Sequence, residues 1–509
     1  MRPRLVLPPA LLLAVLAVLA CDQGVESGPE DAAGRTDAGR TDAGGTDAGG
    51  RLLDARTDAD AQSDDQGGAT PDSGGDAGLD SGSIPDAGTG GIDAQPIMND
   101  AASADAADRD AAFPTCDPLP LSPGARVRVT PAEANNLPTL VAAAPADTTI
   151  VLADGIYRST ASGESARRIQ LRTPRVTLRG ESGDSSAVVI DGEYLTSEII
   201  FVGASEVTLA HLTVTRAIDH TIHISPLGGA DITGVVLYDV RLIDGGEQLL
   251  KINSDGAAHY ADQGRVECSH FELTSAGRPR IERNPGGCYT GGIDTHSGRG
   301  WQVRRNRFRG IYCAGEGLAE HAIHFWNGAR DTLVENNEIV DCARGIGFGL
   351  VESGDSRSYA DDPYPGLGYI GHYDGIIRNN VVYAAIDYFD TGIELAQARG
   401  VRVYHNTVVS TRGNAFFSSI DYRFANTLAE IRNNLTDRIT LRNSASGTVD
   451  HNVESTPLHW LINASAGDFH LGPSASGAID QGVTVTEAGL DLDGQPHTNA
   501  APDLGADER

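Results

Sequence analysis

A short strand-like pattern recurs along the chain, and it constrains the fold more than any other feature. In each copy, two apolar residues flank a polar residue at fixed spacing. Successive copies are 26 to 43 residues apart, and most steps lie near 30. Because a unit of this length, with strands and no helical period, cannot bury its apolar side alone, the repeat predicts coils of three strands that stack into a solenoid. The clear copies are VRRNRF at 303–308, VENNEI at 334–339, IRNNVV at 377–382, VYHNTV at 403–408 and IRNNLT at 431–436, and looser copies begin at Val176, Val207, Val235 and Val266.

One asparagine takes the same place in every clear copy. We expect these asparagines to stack at a corner of the coils, where their amides bond to the backbone of the next coil and where asparagine tolerates the backbone angles of a tight bend. They are therefore expected to be structural. A propeller, whose blades repeat at about forty residues with an aromatic signature, is the competing fold, and that signature is absent. The asparagines are Asn306, Asn337, Asn380, Asn406 and Asn434.

Residues 1–20 have the form of a signal peptide. Arg2 and Arg4 precede an apolar run from Leu5 to Ala20, which is too short and too early for a membrane-spanning helix. The run ends in Val18-Leu19-Ala20-Cys21, which resembles the bacterial lipobox. The resemblance implies an exported lipoprotein that is anchored through lipid on Cys21, at the cell surface or the periplasmic face, without spanning the membrane.

Residues 21–115 are predicted to be a lipid-anchored, disordered linker. Between 22 and 115 there are 21 acidic and 5 basic residues, a net charge of −16, and few large apolar side chains. Burial therefore cannot offset the entropy of ordering, and charge repulsion favours an extended chain. The repeated Thr-Asp-Ala-Gly segments lack the spacing of a calcium-binding loop.

Residues 116–509 are predicted to form the folded, monomeric body. Its net charge of −17 makes nucleic acid an unsuitable partner. It contains five cysteines, which an exported protein can oxidise, and no CxxC or Cys/His cluster that would indicate structural zinc. The candidate disulfides are Cys268–Cys288 and Cys313–Cys342, which leave Cys116 unpaired.

Two segments resemble a known superfamily. LPTLVAAAPADTTIVLADGIY at 137–157 is similar to the opening segment of right-handed β-helix proteins of the pectate-lyase-like class, and residues 478–508 resemble the closing segment of bacterial exported β-helix proteins. The resemblance covers nearly all of 116–509. It implies an all-β, right-handed, single-stranded parallel β-helix that handles polysaccharide, but not which reaction, because this fold hosts lyases, hydrolases, epimerases and adhesins.

A second strand follows each copy, and its alternation predicts which side chains face outwards. We expect four outward residues to be catalytic and three others to bind substrate. Since neighbouring coils lie about 4.8 Å apart, such a row spans roughly 20 Å, which suits several sugar units. The catalytic candidates are Lys251, Asp294, His296 and His324, and the substrate-binding candidates are His223, Trp326 and Glu394.

Lys251 is the only lysine of the chain; the other 38 basic residues are arginine. A GC-rich genome that replaces lysine by arginine explains this without function. The functional interpretation is that a lysine can lose its proton when its pKa falls, whereas an arginine effectively cannot. The predicted neighbours in adjacent coils favour that interpretation.

The long segment 351–375 is predicted to be a functional loop. Its tyrosines can stack on sugars and its acids can hold a calcium ion, although a loop packed by its own tyrosines is the alternative. Tyr364 and His372 of this loop, together with Arg330 and Arg344, complete the predicted substrate contacts.

The predicted function is a uronate-polysaccharide lyase, in which calcium or Arg330/Arg344 holds the substrate carboxylate. Lys251 or His296 is the expected base, and His324 or a loop tyrosine the expected acid. The paired aspartates of β-helix galacturonan hydrolases and the calcium and arginine motifs of pectate lyases are not intact; GRPRIER at 277–283 is a loose echo. The alternatives are a hydrolase that uses two carboxylates, such as Asp294 and Glu394, which the predicted coils place far apart along the axis, a non-catalytic glycan-binding or adhesive protein, and a pure scaffold.

Overall fold

The computed structural model describes residues 116–256, 258–282, 287–315, 317–413, 416–497 and 501–509. The predicted signal peptide, Cys21 and the linker lie outside these residues. Within them, no helix is both long and apolar enough to cross a membrane.

The described chain forms parallel coils whose strands belong to two long sheets, which confirms the predicted all-β parallel β-helix. The site sheet, named for the polar residues on it, takes one strand from each coil: Ile169–Leu171, Glu198–Val202, His220–Ile224, Gln248–Ile252, Gly291–His296, His321–Trp326, Arg344–Phe348, Thr391–Ala396, Ser418–Arg423 and Ile439–Arg442. The corner sheet bends around the asparagines, so that most coils give it two strands: Ala125–Val129, Thr148–Leu152, Gly155–Tyr157, Thr177–Gly180, Val188–Asp191, Thr208–Thr215, Val236–Ile243, Arg265–Glu267, His270–Glu272, Gln302–Arg304, Arg307–Arg309, Ala329–Arg330, Leu333–Glu335, Glu338–Val340, His372–Tyr373, Ile376–Arg378, Val381–Ala384, Ala398–Tyr404, Thr407–Ser410, Leu428–Arg432, Leu435–Thr436 and Ser446–Asp450.

The remaining described elements are short and lie outside the two sheets. Two small pairs of strands join Ile232–Thr233 to Ala261–Asp262 in parallel and Leu461–Asn463 to Asp468–Leu471 in antiparallel orientation. The α-helices are Leu137–Ala142, Glu164–Arg167 and Arg278–Glu282, and the 3₁₀ turns are Pro131–Glu133, Leu458–Trp460 and Ala464–Ala466.

The interior is a column of aliphatic and aromatic side chains that repeats once per coil. Val266 pairs with Val303, which pairs with Val334, as the repeat predicts. The looser copies are offset, because Val266 pairs with Leu237, two residues beyond the predicted Val235. A slip of two residues keeps the same side of the strand facing inwards, so the predicted interior survives the error.

The corner asparagines form a continuous ladder. The side-chain amide of Asn380 donates to Oδ1 of Asn406 at 3.0 Å and to the carbonyl of Val334 in the preceding coil at 3.0 Å. One expectation was wrong: the left-handed backbone angles belong to the residue before each ladder asparagine, with φ of 54° at Asn379. The ladder also runs one rung further than predicted, to Asn452.

The C-terminal segment lies against the outside of the corner sheet. Leu492 and Leu504 share a second apolar cluster with Val381 and Leu435. The side-chain amide of Asn379 donates to the carbonyl of Ala488 at 2.7 Å. The segment therefore covers one outer wall and leaves the site sheet uncovered by these contacts.

The predicted disulfides are wrong. The structure joins Cys116 to Cys268 and Cys288 to Cys313, and Cys342 is a buried thiol whose pKa burial raises to about 12. The reason is that the chain after Cys116 runs across several coils. The hydroxyl of Tyr238 donates to the carbonyl of Asp117 at 2.5 Å, which carries Cys116 to a coil 152 residues later.

Candidate functional site

The site sheet aligns the predicted polar residues of successive coils. Lys251 lies opposite His223 on one side and Asp294 on the other, and Asp294 lies opposite His324. Their neighbours in the strands, such as Ile252, are fully buried in the interior, as the alternation predicts. Four successive coils therefore bring together side chains that are up to 101 residues apart in the sequence.

Lys251 and His296 share one carboxylate oxygen. The Lys251 ammonium donates to Oδ2 of Asp294 at 2.5 Å, and Nε2 of His296 lies 3.1 Å from the same oxygen. Nζ of Lys251 and Nε2 of His296 are 3.2 Å apart. The other oxygen of Asp294 accepts the indole N–H of Trp326 at 2.9 Å. We call Lys251, Asp294, His296 and Trp326 the lysine cluster.

Charge and burial set the protonation of the lysine cluster. Burial alone would raise the pKa of Asp294, but the charges of Lys251 and His296 hold it well below its ordinary value. Burial lowers the pKa of His296, because it outweighs the attraction of Asp294. The cluster thus contains an ionised carboxylate, and at neutral pH its imidazole is mainly neutral.

The lysine cluster opens to the surface at one side. The side chain of His296 is 21% exposed, whereas those of Lys251 and Asp294 are 5% and 6% exposed. Trp326 is half-buried and packs edge-on against His296, with ring centroids 4.6 Å apart. A ligand on this face would therefore meet His296 and Trp326 first.

Two predicted site residues face the expected direction but are buried. His324 has 2% of its side chain exposed and lies parallel to the ring of Trp326, at 5.4 Å. Glu394 is 4% exposed and ion-paired with Arg423, whose charge outweighs burial and holds the pKa of Glu394 well below its ordinary value. The prediction that these two residues contact substrate directly is corrected, because neighbouring side chains cover both.

His223 and Arg344 lie on the site sheet beside the lysine cluster. His223 bonds through Nδ1 to Oε1 of Glu198 at 2.5 Å, and its side chain is 15% exposed. Arg344 lies opposite His321 and 3.8 Å from Asp390, and its side chain is 16% exposed. Both are accessible in part, which is compatible with the predicted contacts.

The loop residues do not join the lysine cluster. The Arg330 guanidinium donates to Asp361 at 3.0 Å, and the Tyr364 hydroxyl donates to Asp374 at 2.6 Å. His372 is fully buried, stacks on Phe348 at 3.9 Å and bonds to Thr332, so its predicted contact with sugar is corrected. These bonds agree with the alternative interpretation of segment 351–375, a loop held by its own side chains.

Sequence reasoning missed several polar residues of the same sheet. Asp421 continues the row opposite Glu394, and the alternation of SSIDYR at 418–423 could have revealed it. His321 and Glu320 were missed because alternation places His321 inside. In the structure Ala322 and Ile323 both belong to the core, so the alternation breaks between them and His321 lies on the outer face.

Two groups of described side chains have the spacing of metal ligands. One is Glu320, His321 and His324, and the other is His470, Asp493 and Asp507. Both contain imidazole nitrogen, whereas calcium prefers ligands that are all oxygen. Neither group is the calcium site that the sequence suggested for the acids of segment 351–375.

The fold resembles solved structures at low sequence identity. A pectate lyase is 16% identical, with a TM-score of 0.42 over 76% of this chain and 98% of its own. An alginate lyase from Paenibacillus sp. str. FPU-7 is 17% identical, with a TM-score of 0.43 over 64% and 98%. A rhamnogalacturonan lyase is 13% identical, with a TM-score of 0.47 over 69% and 97%. No protein-family model matches the chain, and no curated protein matches it significantly in sequence.

Proposed function

We propose that this protein is a polysaccharide lyase that cleaves a uronate-containing glycan on the site sheet. The observation that carries the proposal is the shared oxygen of Asp294, with the Lys251 ammonium at 2.5 Å and the His296 imidazole at 3.1 Å. An ion pair made only for stability does not need a partly exposed imidazole with a lowered pKa beside it. β-Elimination needs such a base next to a fixed positive charge.

In the proposed reaction His296 takes the proton from C5 of a uronate residue. Asp294 accepts the N–H at Nε2, so that the lone pair of Nδ1 is the base. The C5–H electrons form the C4–C5 double bond, the C4–O4 bond breaks, and the leaving O4 takes a proton from water. The products are one chain with an unsaturated uronate at its non-reducing end and one chain with a new reducing end, whose C1 hydroxyl retains the former O4.

The proposed role of Lys251 is to stabilise the transition state, because negative charge spreads onto the uronate carboxyl as the proton leaves C5. An ammonium that Asp294 holds in place offsets that charge without reorganisation of the site. Arg344, on the same sheet, is the proposed partner of a substrate carboxylate. Trp326 offers an aromatic edge beside the base.

We also propose that the chain is exported and held at a membrane by lipid on Cys21, with residues 22–115 as a spacer. The sequence from Leu5 to Cys21 supports this proposal. Replacing Cys21 by serine should release the protein from the membrane fraction, whereas unchanged fractionation would contradict the anchor.

The reaction is tested with a panel of uronate polymers, with and without calcium, by following the ultraviolet absorbance of the unsaturated product. We expect at least one polymer to be cleaved, and Lys251→Met and His296→Gln each to lower kcat by about 10²- to 10⁴-fold. His451→Gln is the matched control, since His451 is a surface histidine that also pairs with an aspartate.

Two results would reject the proposal. If one polymer binds and none is cleaved, the protein is a glycan-binding module. If a polymer is cleaved at an unchanged rate by His296→Gln, the base lies elsewhere.

A further inference from the structure

A buried group of two imidazoles and one carboxylate lies next to the lysine cluster and has no part in the proposed reaction. Glu320 directly precedes the strand His321–Trp326, which carries His321 and His324. The side chains of Glu320, His321 and His324 are 11%, 0% and 2% exposed. We call these three residues the histidine pocket. Burial of three titratable groups at one point requires a compensating interaction.

Gly347 in the next coil makes room for the histidine pocket. Gly347 lies opposite His324 in the site sheet, in the row of outward-facing residues. A Cβ atom at this position would lie 2.7 Å from Nε2 of His321, which is too close for any side chain. The glycine thus allows the His321 ring to lie over the sheet, with its centroid 4.5 Å from that of His324.

In both imidazoles, Nε2 faces a hydrogen-bond acceptor. Nε2 of His324 lies 3.2 Å from the carbonyl of Gly349, which can only accept, so this nitrogen carries a proton. Nε2 of His321 lies 3.3 Å from Oε2 of Glu394, a carboxylate that also pairs with Arg423. In a neutral ring each arrangement leaves the lone pair on Nδ1. Metal-binding histidines are held in this way, by a second N–H given to a carboxylate or carbonyl.

The two Nδ1 atoms meet at Glu320. Each lies 4.0 Å from Oε2 of Glu320, which is too far for a hydrogen bond. Nδ1 of His321 and Oε2 of Glu320 are both buried without a hydrogen-bond partner. Buried polar atoms are rarely left without one. Nδ1 of His324 also lies 3.4 Å from Oδ1 of Asp294, so this nitrogen faces two carboxylates.

We propose that Nδ1 of His321, Nδ1 of His324 and Oε2 of Glu320 bind a divalent transition-metal ion of the zinc type. A cation between the three atoms would satisfy both unpartnered atoms and offset the negative charge of the carboxylates beside Nδ1 of His324. Three such atoms, one from each residue, lie within 4.8 Å of one another. Ligands at about 2.1 Å from a tetrahedral ion lie roughly 3.4 Å apart, so the two 4.0 Å distances must shorten by about 0.6 Å and the third by at most about 1.4 Å, which side-chain rotations can supply.

The ligand set selects the class of ion. Two imidazole nitrogens and one carboxylate oxygen suit zinc, cobalt or nickel, whereas calcium and magnesium prefer oxygen alone. The site does not depend on the proposed lyase reaction. Its closeness to Asp294 predicts that the ion also influences the lysine cluster.

The test uses the full-length chain, freed of metal by a chelator and titrated with zinc chloride in a calorimeter. We expect one equivalent to bind and to raise the melting temperature, because the ion binds the folded state. Glu320→Gln and His321→Gln should each weaken binding at least tenfold. Glu394→Gln should weaken it about 10- to 100-fold, as expected for a residue that orients a ligand.

His470→Gln is the control, because it removes the second group of possible ligands and should leave the stoichiometry and affinity unchanged. Cobalt absorption bands without thiolate charge transfer should exclude binding at Cys21 or Cys342. The proposal fails if zinc, cobalt and nickel leave both the heat and the melting temperature of the wild type unchanged. It also fails if binding persists in Glu320→Gln and His321→Gln or disappears only in His470→Gln.

Discussion

At the scale of single residues, the protonation of His296 decides whether the lysine cluster can act as proposed. Burial lowers its pKa, the attraction of Asp294 raises it, and the charge of Lys251 lowers it again, with burial the largest effect. The midpoint therefore lies below the ordinary value of 6.5. As the pH rises through that midpoint, the imidazole loses its proton and becomes a base.

The direction of this pKa shift can be measured without any substrate. In protein with ¹³C-labelled histidine rings, the signal absent from His296→Gln identifies His296, and we expect its titration midpoint to fall below 6.5. In Lys251→Met the midpoint should move to higher pH, because a neighbouring positive charge is removed. A wild-type midpoint above 6.5 would contradict the assignment of His296 as a base that is neutral in mildly acidic solution.

Alternation along the strands predicted which side chains point outwards, but not how deeply they are buried. It placed Lys251 and Asp294 on one outer row, and the structure has them in contact. It could not show that the ring of Trp326 covers His324 on the same strand, because alternation gives no side-chain conformation. Nor could it show that Arg423 pairs with Glu394, because that contact joins different coils. It also could not detect His321, since the strand departs from strict alternation at Ala322 and Ile323.

At the scale of elements, each asparagine of the ladder holds neighbouring coils together through several hydrogen bonds. Asn380 is fully buried, donates to Asn406, Val334 and Arg378, and accepts from the backbone and side chain of Asn337. Removing its amide takes a hydrogen-bond partner from several buried groups at once, and a group that is left unpaired, such as the backbone N–H of Asn337, costs about 1–3 kcal/mol.

Asn380→Ala should therefore lower the free energy of unfolding by about 2–4 kcal/mol, measured from denaturant midpoints. Asn452→Ala, at the last and half-buried rung, is the matched control and should cost less. Equal losses at the two positions would mean that the ladder does not act through buried unpaired groups.

The period of the repeat was sufficient to predict the coils, because every coil must bury its apolar side chains against its neighbours. The exact register between strands of neighbouring coils could not be predicted from the sequence, as the two-residue offset at Leu237 shows. A shift by an even number of residues keeps the same face buried, so the apolar pattern cannot distinguish the two registers. The disulfides could not be predicted either, because the path of residues 116–119 across the coils leaves no periodic signal.

At the scale of the whole molecule, buried neutral histidines link stability to pH. Burial lowers the pKa of His220, His372 and His405 to about 3. Between pH 6.5 and 3 the unfolded chain binds protons there that the folded chain does not, so stability is complete above pH 6.5 and falls as the pH decreases. Asp437 and Asp507, whose pKa burial raises to about 6, act in the opposite direction and offset part of the loss.

Acidification from pH 7 to pH 5 should accordingly lower the free energy of unfolding, by about 1.4 kcal/mol per pH unit below 6.5 for each such histidine. His372 is the best position for the test, because it is fully buried, bonds through Nε2 to the neutral side chain of Thr332 and stacks on Phe348, outside the lysine cluster. His372→Gln should be less stable at pH 7 but lose less stability on acidification, since one proton-binding group of the unfolded chain is gone. His451→Gln, at an exposed position, should retain the wild-type loss. If denaturant midpoints at pH 7 and pH 5 change by the same amount in His372→Gln and in the wild type, the acid sensitivity of the coils does not originate at His372, and interactions between carboxylates and arginines must account for it.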